Sequence, residues 1–94
     1  MLKQVKYFSS KFIKDYELIK RRGYNLKEFE EIVNLLLKEL EIPVKYRAHK
    51  LSDSKDFKGM KELHIRPDWL LIYYIDYSSS TLVLVRTGTH SDLF

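Results

Sequence analysis

Cysteine is absent from the 94-residue sequence, and glycine, proline and tryptophan are scarce, at three, two and one residues. Without cysteine the chain has no disulfide, no thiolate nucleophile and no zinc–thiolate site, a usage typical of a reducing compartment. Long apolar runs are also missing, because "WLLIYYI" at residues 69–75 is far too short to cross a bilayer. The start of the chain lacks an apolar block of signal-peptide length. These absences predict a soluble, cytoplasmic protein that does not bind membranes.

The composition predicts one small domain, residues 1–94, with a modest hydrophobic core. Hydrophobic residues make up 45% and charged residues 32% of the chain, and the net charge is +4. Acidic side chains concentrate in residues 27–41, whereas basic ones dominate residues 45–61. This asymmetry favours an anionic partner on one face, with nucleic acid as the leading candidate. The alternative is an ordinary solvated surface, and composition alone does not decide between them.

A short strand and a helix are predicted at the start. Residues 2–8 alternate loosely and carry Val, Tyr and Phe, which is typical of an edge strand. The next segment has apolar residues at helical spacing. Ser9 or Ser10 can cap its first turn, and Gly23 can close its last turn in a left-handed conformation.

A second helix should begin directly afterwards. Asn25 followed three residues later by Glu28 predicts a capping box. Pro43 excludes much further extension of this helix. Two helices joined so closely predict a helical hairpin. The apolar stripe of the second helix consists of Phe29, Ile32, Val33, Leu36, Leu37 and Leu40.

The second half predicts a strand meander. We expect a short strand around residues 45–49, a loop through 52–59, and a strand over 61–66 that alternates between apolar and polar side chains. Residues 69–76 are continuously apolar, as in a central strand, and residues 81–87 predict the last strand. Helices followed by a meander predict an α+β domain.

All three histidines lie in this second half, each at a strand or its end. His64 shares a predicted strand face with Glu62 and Arg66, while His49 precedes the loop and His90 follows the last strand. If these strands are neighbours, the imidazoles can converge with Asp68 on one open sheet face.

Several imidazoles, a carboxylate and Arg86, without a carboxylate cluster for magnesium, suit metal-free cleavage of RNA by the ribose 2′-OH. An imidazole, with an unperturbed pKa of about 6.5, can act as base or acid at neutral pH. Guanidinium groups match phosphate geometry. Spacing alone leaves other readings open, because each histidine could be a structural or surface residue, and zinc binding is a weaker possibility.

Three segments together resemble a known family: "YRAHKL" at 46–51, "ELHIRPDWLLIY" at 62–73 and "LVLVRTGTHSDLF" at 82–94. They are similar to the YafQ branch of the RelE/ParE superfamily, the toxins of bacterial type II toxin–antitoxin modules. The resemblance implies a RelE-like fold, with an N-terminal helical hairpin packed on one face of a small antiparallel β-sheet. It also implies a ribosome-dependent mRNA endonuclease that needs no metal or cofactor.

The resemblance also implies residue roles. His49 and His90 would be the base and acid, in undetermined order, while Asp68 and His64 would orient them or hold the scissile phosphate. Arg86 would stabilise the charge of the transition state. The C-terminal tail would fold back over the sheet, with Phe94 packing or stacking in the site. The residues expected to contact RNA are Lys45, Tyr46, Arg47, Lys50, Lys61, Arg66 and Trp69.

Two departures from the family pattern affect the expected register of the RNA substrate in the site. Lys61-Glu62 stands where many relatives have an Arg-Glu pair, and the loop at 52–59 lacks a common tryptophan, for which Phe57 can substitute.

The implied partners are a cognate acidic antitoxin, mRNA and the ribosomal A site, with operator DNA bound only through the antitoxin complex. Two alternatives remain open. One is a non-enzymatic binding module of the same fold that targets gyrase or only pairs with an antitoxin, and the other is a degenerate toxin kept for operon regulation.

Overall fold

One strand, two helices, four further strands and a short last helix follow one another in a computed structural model that describes residues 1–52 and 55–94. The elements are β1 (Gln4–Tyr7), α1 (Ser10–Arg21), α2 (Leu26–Leu37), β2 (His49–Lys50), β3 (Lys61–Arg66), β4 (Trp69–Asp76), β5 (Thr81–Gly88) and α3 (His90–Leu93). The strands form one sheet in the order β1-β5-β4-β3-β2. This confirms the α+β prediction, with one refinement: β1 runs parallel to β5, while every other pair is antiparallel.

Local capping explains both long helices. The Ser9 side chain accepts a hydrogen bond at the start of α1, and Gly23, with φ +78°, follows its end in the left-handed region. The Asn25 side chain caps α2 by accepting from the Lys27 backbone N–H at 3.0 Å. The prediction of a capping box is wrong in its second half. The Glu28 carboxylate accepts from Arg66 instead of from the Asn25 backbone N–H. No helix in the described ranges is long and apolar enough to cross a membrane.

The segment after Pro43 differs from prediction. A 3₁₀ turn occupies Val44–Tyr46, and Arg47 adopts a left-handed conformation with φ 49°, so the strand expected around 45–49 shrinks to His49–Lys50. The fixed φ of proline starts this turn, and Arg47 redirects the chain into β2. Of the loop predicted at 52–59, residues 53 and 54 lie outside the described residues, and 55–59 form bends and turns.

The main hydrophobic core lies between the helices and one face of the sheet. We call this the helix-side core. The ring centroids of Phe12 and Phe29 are 6.1 Å apart, and those of Tyr16 and Phe29 are 5.4 Å apart. Aromatic side chains therefore join α1 to α2. The buried members of the helix-side core are Leu2, Phe12, Ile19, Phe29, Ile32, Leu36, Leu63, Ile65, Trp69, Leu71, Tyr73, Leu82 and Leu84.

A smaller core covers part of the opposite face. Its buried residues are Phe57, Leu70, Ile72, Val85 and Leu93, drawn from β4, β5, the 55–60 segment and α3. We call this the tail-side core, because α3 closes it. Because α1 and α2 pack on the other face, polar groups can lie exposed beside this core.

Candidate active site

Three imidazoles form a row on the tail-side face. His49 in β2 lies opposite Glu62 in β3, and Glu62 is two residues before His64 on that strand. The ring centroids of His49 and His64 are 6.3 Å apart, and those of His64 and His90 are 5.7 Å apart. Residues separated by up to 41 positions therefore meet, because β2 pairs with β3 and the C-terminal tail folds back beside them.

Backbone carbonyls orient two of these rings. The Nδ1 atom of His49 lies 2.7 Å from the carbonyl oxygen of Arg47, and that of His64 lies 3.2 Å from the carbonyl oxygen of Pro67. Because a carbonyl oxygen can only accept, each contact requires a proton on Nδ1. In the neutral ring, Nε2 is then the atom free to take up a proton.

Glu62 lies between the same two rings. Its Oε1 is 3.5 Å from the Nε2 of His49 and 3.4 Å from the Nε2 of His64, and the residue is only 5% exposed. A buried carboxylate requires a proton donor, and an imidazole supplies one here when it carries a proton on Nε2 as well as on Nδ1. Glu62 was expected on the strand face of His64 but not among the site residues. Its position two residues before a histidine on an alternating strand was the available signal.

Asp68 holds the third imidazole. Its Oδ1 accepts from the backbone N–H of His90 at 2.9 Å and contacts the ring Nδ1 at 2.6 Å. The backbone hydrogen bond, followed by the one from the ring, lowers the pKa of Asp68 below its usual range. The ring keeps its Nε2 atom for substrate. This resembles the way an acid orients a catalytic histidine in other enzymes.

The C-terminal tail is folded rather than frayed. Thr89 caps α3 in a capping box with Asp92, and Leu93 is buried in the tail-side core. The Phe94 ring is 61% exposed and packs edge-on against Phe57, with the centroids 5.7 Å apart. The structure therefore brings the tail into the site and leaves one face of Phe94 to solvent.

A family model for the bacterial toxin of type II toxin–antitoxin systems, YafQ, matches residues 4–94. The chain belongs to the YafQ toxin family. It is 35% identical over 88 residues to the mRNA interferase toxin YafQ of Escherichia coli strain B / BL21-DE3. The matched region covers 93% of this chain and 91% of that protein. The structure matches a metal-bound toxin from Helicobacter pylori with a TM-score of 0.87 and 38% identity, covering all of both chains. It also matches the E. coli DinJ–YafQ complex with a TM-score of 0.82 and 35% identity, over 96% of both chains.

Within this YafQ-family site, Arg86 lies apart from the histidines. Glu62, Ile72 and Arg86 form one row across β3, β4 and β5, so about 10 Å separates the backbones of Glu62 and Arg86. Arg86 donates from Nε and Nη2 to the Asp15 carboxylate at 2.6 and 2.9 Å, which raises the pKa of the guanidinium. Asp15 also accepts from the Thr87 backbone N–H at 3.2 Å. Among the described residues, the Arg86 side chain forms no hydrogen bond or ion pair with a histidine.

Two residues expected to contact RNA have structural partners instead. Trp69 is 3% exposed, and its indole N–H donates to Thr87 at 3.0 Å, so its ring cannot stack on a base in this conformation. Arg66 follows a register irregularity after His64 and reaches α2, although both residues line the same cleft. There its Nε donates to Glu28 at 2.8 Å.

The remaining residues expected to contact RNA are divided between the two faces of the sheet. Lys61 alternates with Glu62 and lies opposite Tyr73, and Lys50 lies opposite Lys61, so both lysines are on the helix-side face rather than beside the histidines. Lys45, Arg47, Lys50 and Lys61 are exposed, and Tyr46 is half-buried. Lys45, Tyr46 and Arg47 line a cleft of about 470 Å³ together with His64 and Glu28. Within the described ranges, no group of three or more His, Asp or Glu side chains is arranged to hold a metal ion.

Proposed function

We propose that this YafQ-family toxin is an mRNA interferase, a metal-independent endoribonuclease that cleaves mRNA in the ribosomal A site. The observation that carries the proposal is the row of His49, His64 and His90, with a carboxylate against each ring, next to a cleft lined by Lys45 and Arg47. The E. coli relatives named mRNA interferase toxins give the same activity for the family.

The reaction needs two proton transfers. One imidazole takes the proton of the ribose 2′-OH, the oxygen attacks the adjacent phosphorus, and the P–O5′ bond breaks as a second group protonates the leaving oxygen. The products are a 2′,3′-cyclic phosphate and a 5′-hydroxyl end. Nothing is oxidised or reduced: the neutral base ends the step protonated, the protonated acid ends it deprotonated, and proton exchange with water restores both.

Exposure supports the assignment of the outer rings to these transfers. The side chains of His49 and His90 are 50% and 55% exposed, whereas that of His64 is 12% exposed. RNA can reach the outer two rings, and the recessed ring is suited to orienting them or to holding the phosphate.

Positive charge must balance the developing phosphorane. Lys45 and Arg47, which line the cleft beside His64, can supply it by contact with phosphate oxygens. Since Asp15 occupies Nε and Nη2 of Arg86, Nη1 is the atom through which Arg86 would serve its predicted role. That role requires the RNA strand to extend across β4 to β5.

The proposed partners follow from charge and from the relatives. A basic toxin with net charge +4 favours an acidic antitoxin, and the E. coli relative is found in a complex with DinJ. Operator DNA would be bound only through such a complex. We place the protein in the cytoplasm, where translating ribosomes are found.

The test is to map 5′ ends on an mRNA in a purified translation system. The parent should cut inside translated codons, and His90→Ala should cut roughly 10²- to 10⁴-fold more slowly with an unchanged melting temperature. His90→Ala cutting at the parent rate would remove that residue from the chemistry. A triple His→Ala chain that still arrests translation without cuts would favour the non-enzymatic binding module.

A further inference from the structure

We propose that the ion pair between Arg22 and Asp92 positions the catalytic tail, by fastening α3 to the end of α1 so that His90 stays in the imidazole row. The proposal rests on the function proposed above. Neither residue touches the reacting groups in the structure, so both are positioning residues.

The pair has the geometry of a strong charge-assisted contact. Arg22 donates from Nη1 to Oδ2 of Asp92 at 2.6 Å and from Nη2 to Oδ1 at 3.1 Å. Two parallel bonds fix the relative orientation of the planar groups as well as their distance. The same contact holds the pKa of Asp92 well below its usual range, so this carboxyl is ionised at neutral pH.

The carboxylate of Asp92 also organises the turn that carries His90. Its Oδ2 accepts from the backbone N–H of Thr89 at 2.9 Å, while the Thr89 hydroxyl accepts from the Asp92 backbone N–H at 3.1 Å. His90 is therefore enclosed by a capping box whose acid is tied to α1. On the other side, Asp68 accepts from its backbone N–H.

The absence of a side chain at Gly88 allows the Asp92 carboxylate to lie close to the backbone there. A Cβ at Gly88 would lie 2.8 Å from Oδ2 of Asp92, and the φ of +154° is one that side chains rarely adopt. Glycine at this position lets the carboxylate approach the end of β5. The tail could not keep this path with a side chain there.

The effect should be local. The side chains of Arg22 and Asp92 are 36% and 21% exposed, and such pairs add little to the stability of a whole domain. A four-residue helical turn at a chain end has little stability of its own, however, so one well-oriented pair can decide how often it is in place.

The experiment compares the full-length parent with Arg22→Ala, Asp92→Asn and the double variant. Arg21→Ala is the matched control, because Arg21 is the adjacent exposed arginine at the end of α1. Two properties are measured: the cleavage rate as a function of the concentration of programmed ribosomes, which gives kcat and KM, and the hydrogen-exchange protection of the His90 and Phe94 backbone amides by NMR. Both amides are hydrogen-bonded, to Asp68 and to the carbonyl oxygen of His90, at 2.9 Å each.

We expect Arg22→Ala and Asp92→Asn each to lower tail protection about tenfold, and kcat severalfold, with KM and the exchange of β4 and β5 amides unchanged. The double variant should be no worse than the poorer single variant, since both remove one contact. Arg21→Ala should match the parent.

Charge separates this proposal from simple attraction to RNA. Arg22→Ala removes a positive charge and Asp92→Asn removes a negative one, so an effect on RNA attraction would move their rates in opposite directions. Opposite changes, an equal loss in Arg21→Ala, or parent-like tail protection in both single variants would overturn the proposal. If the parent itself cut no mRNA, the proposed function would fail, and the exchange data alone would decide whether the pair anchors the tail.

Discussion

The two faces of the sheet have different tasks. The helix-side face carries the larger core, in which residues from α1, α2 and three strands exclude water. The tail-side face has a smaller core, and its remaining surface presents the imidazole row. Along β3, Leu63 and Ile65 enter the helix-side core while Glu62 and His64 face the site. The period of two of a strand thus divides stability from chemistry in one short segment.

The sharpest test of this division uses two neighbours on β4. Leu71 and Ile72 are both fully buried, but Leu71 lies in the helix-side core and Ile72 in the tail-side core. We expect Leu71→Ala to lower the free energy of unfolding by about 4 kcal/mol and Ile72→Ala by about 2 kcal/mol, because a smaller core can relax into the cavity. Urea denaturation measures both. Equal losses, or a larger loss at Ile72, would contradict the division.

Glu62 gives the next largest effect, on activity rather than stability. Glu62→Gln keeps the shape of the side chain but removes the charge that faces His49 and His64. We expect the cleavage rate to fall about tenfold, the loss typical of one charged contact, while the melting temperature changes little. Glu41→Gln, on an exposed segment, is the control. Parent-like cleavage by Glu62→Gln would show that the carboxylate does not serve the imidazoles.

Acid should release the tail before it unfolds the helix-side core. The pKa values of Asp68 and Asp92 are both lowered in the folded chain, by hydrogen bonds from His90 and Arg22 respectively. A carboxyl group whose pKa is lower in the folded chain than in the unfolded chain stabilises the folded state at pH values above its unfolded pKa of about 3.9. This stabilisation is lost as the pH falls below that value. NMR signals of the α3 amides should therefore change below about pH 4 while those of β4 persist. A single transition shared by both regions would argue against separate stabilities.

The smallest effect is expected at the exposed pair of Arg66 and Glu28. The side chain of Arg66 is 62% exposed, so the hydrogen bonds that lower the pKa of Glu28 act largely in water. A double-mutant cycle with Arg66→Ala and Glu28→Ala should give only the small coupling energy typical of an exposed ion pair. A larger value would mean that this pair fixes the register irregularity next to His64.

Local signals in the sequence predicted much of the fold. Ser9, Asn25 and Gly23 cap the helices as their residue types indicate, because capping depends on neighbours along the chain. The alternation around Leu63 and the edge position of β1 were also predictable. The return of the tail over the sheet came from the family resemblance rather than from a local pattern.

Contacts between distant residues were less accessible. Glu28 was expected to complete a capping box, but Arg66 offers it a full positive charge from 38 positions away. The burial of Trp69 and the pairing of Arg86 with Asp15 likewise depend on how α1 and β4 are assembled. Strand pairing decides such contacts, and a single sequence carries no direct record of it.

One substitution in the RNA tests the central claim most directly. An mRNA with a single 2′-deoxynucleotide on the 5′ side of the scissile bond lacks the proposed nucleophile, while its codon and phosphates are unchanged. In a purified translation system the parent protein should leave that bond intact and cut the all-ribose control to give a 5′-hydroxyl end. Cleavage of the deoxy substrate at the control rate, or 5′-phosphate ends on the control, would contradict the imidazole mechanism.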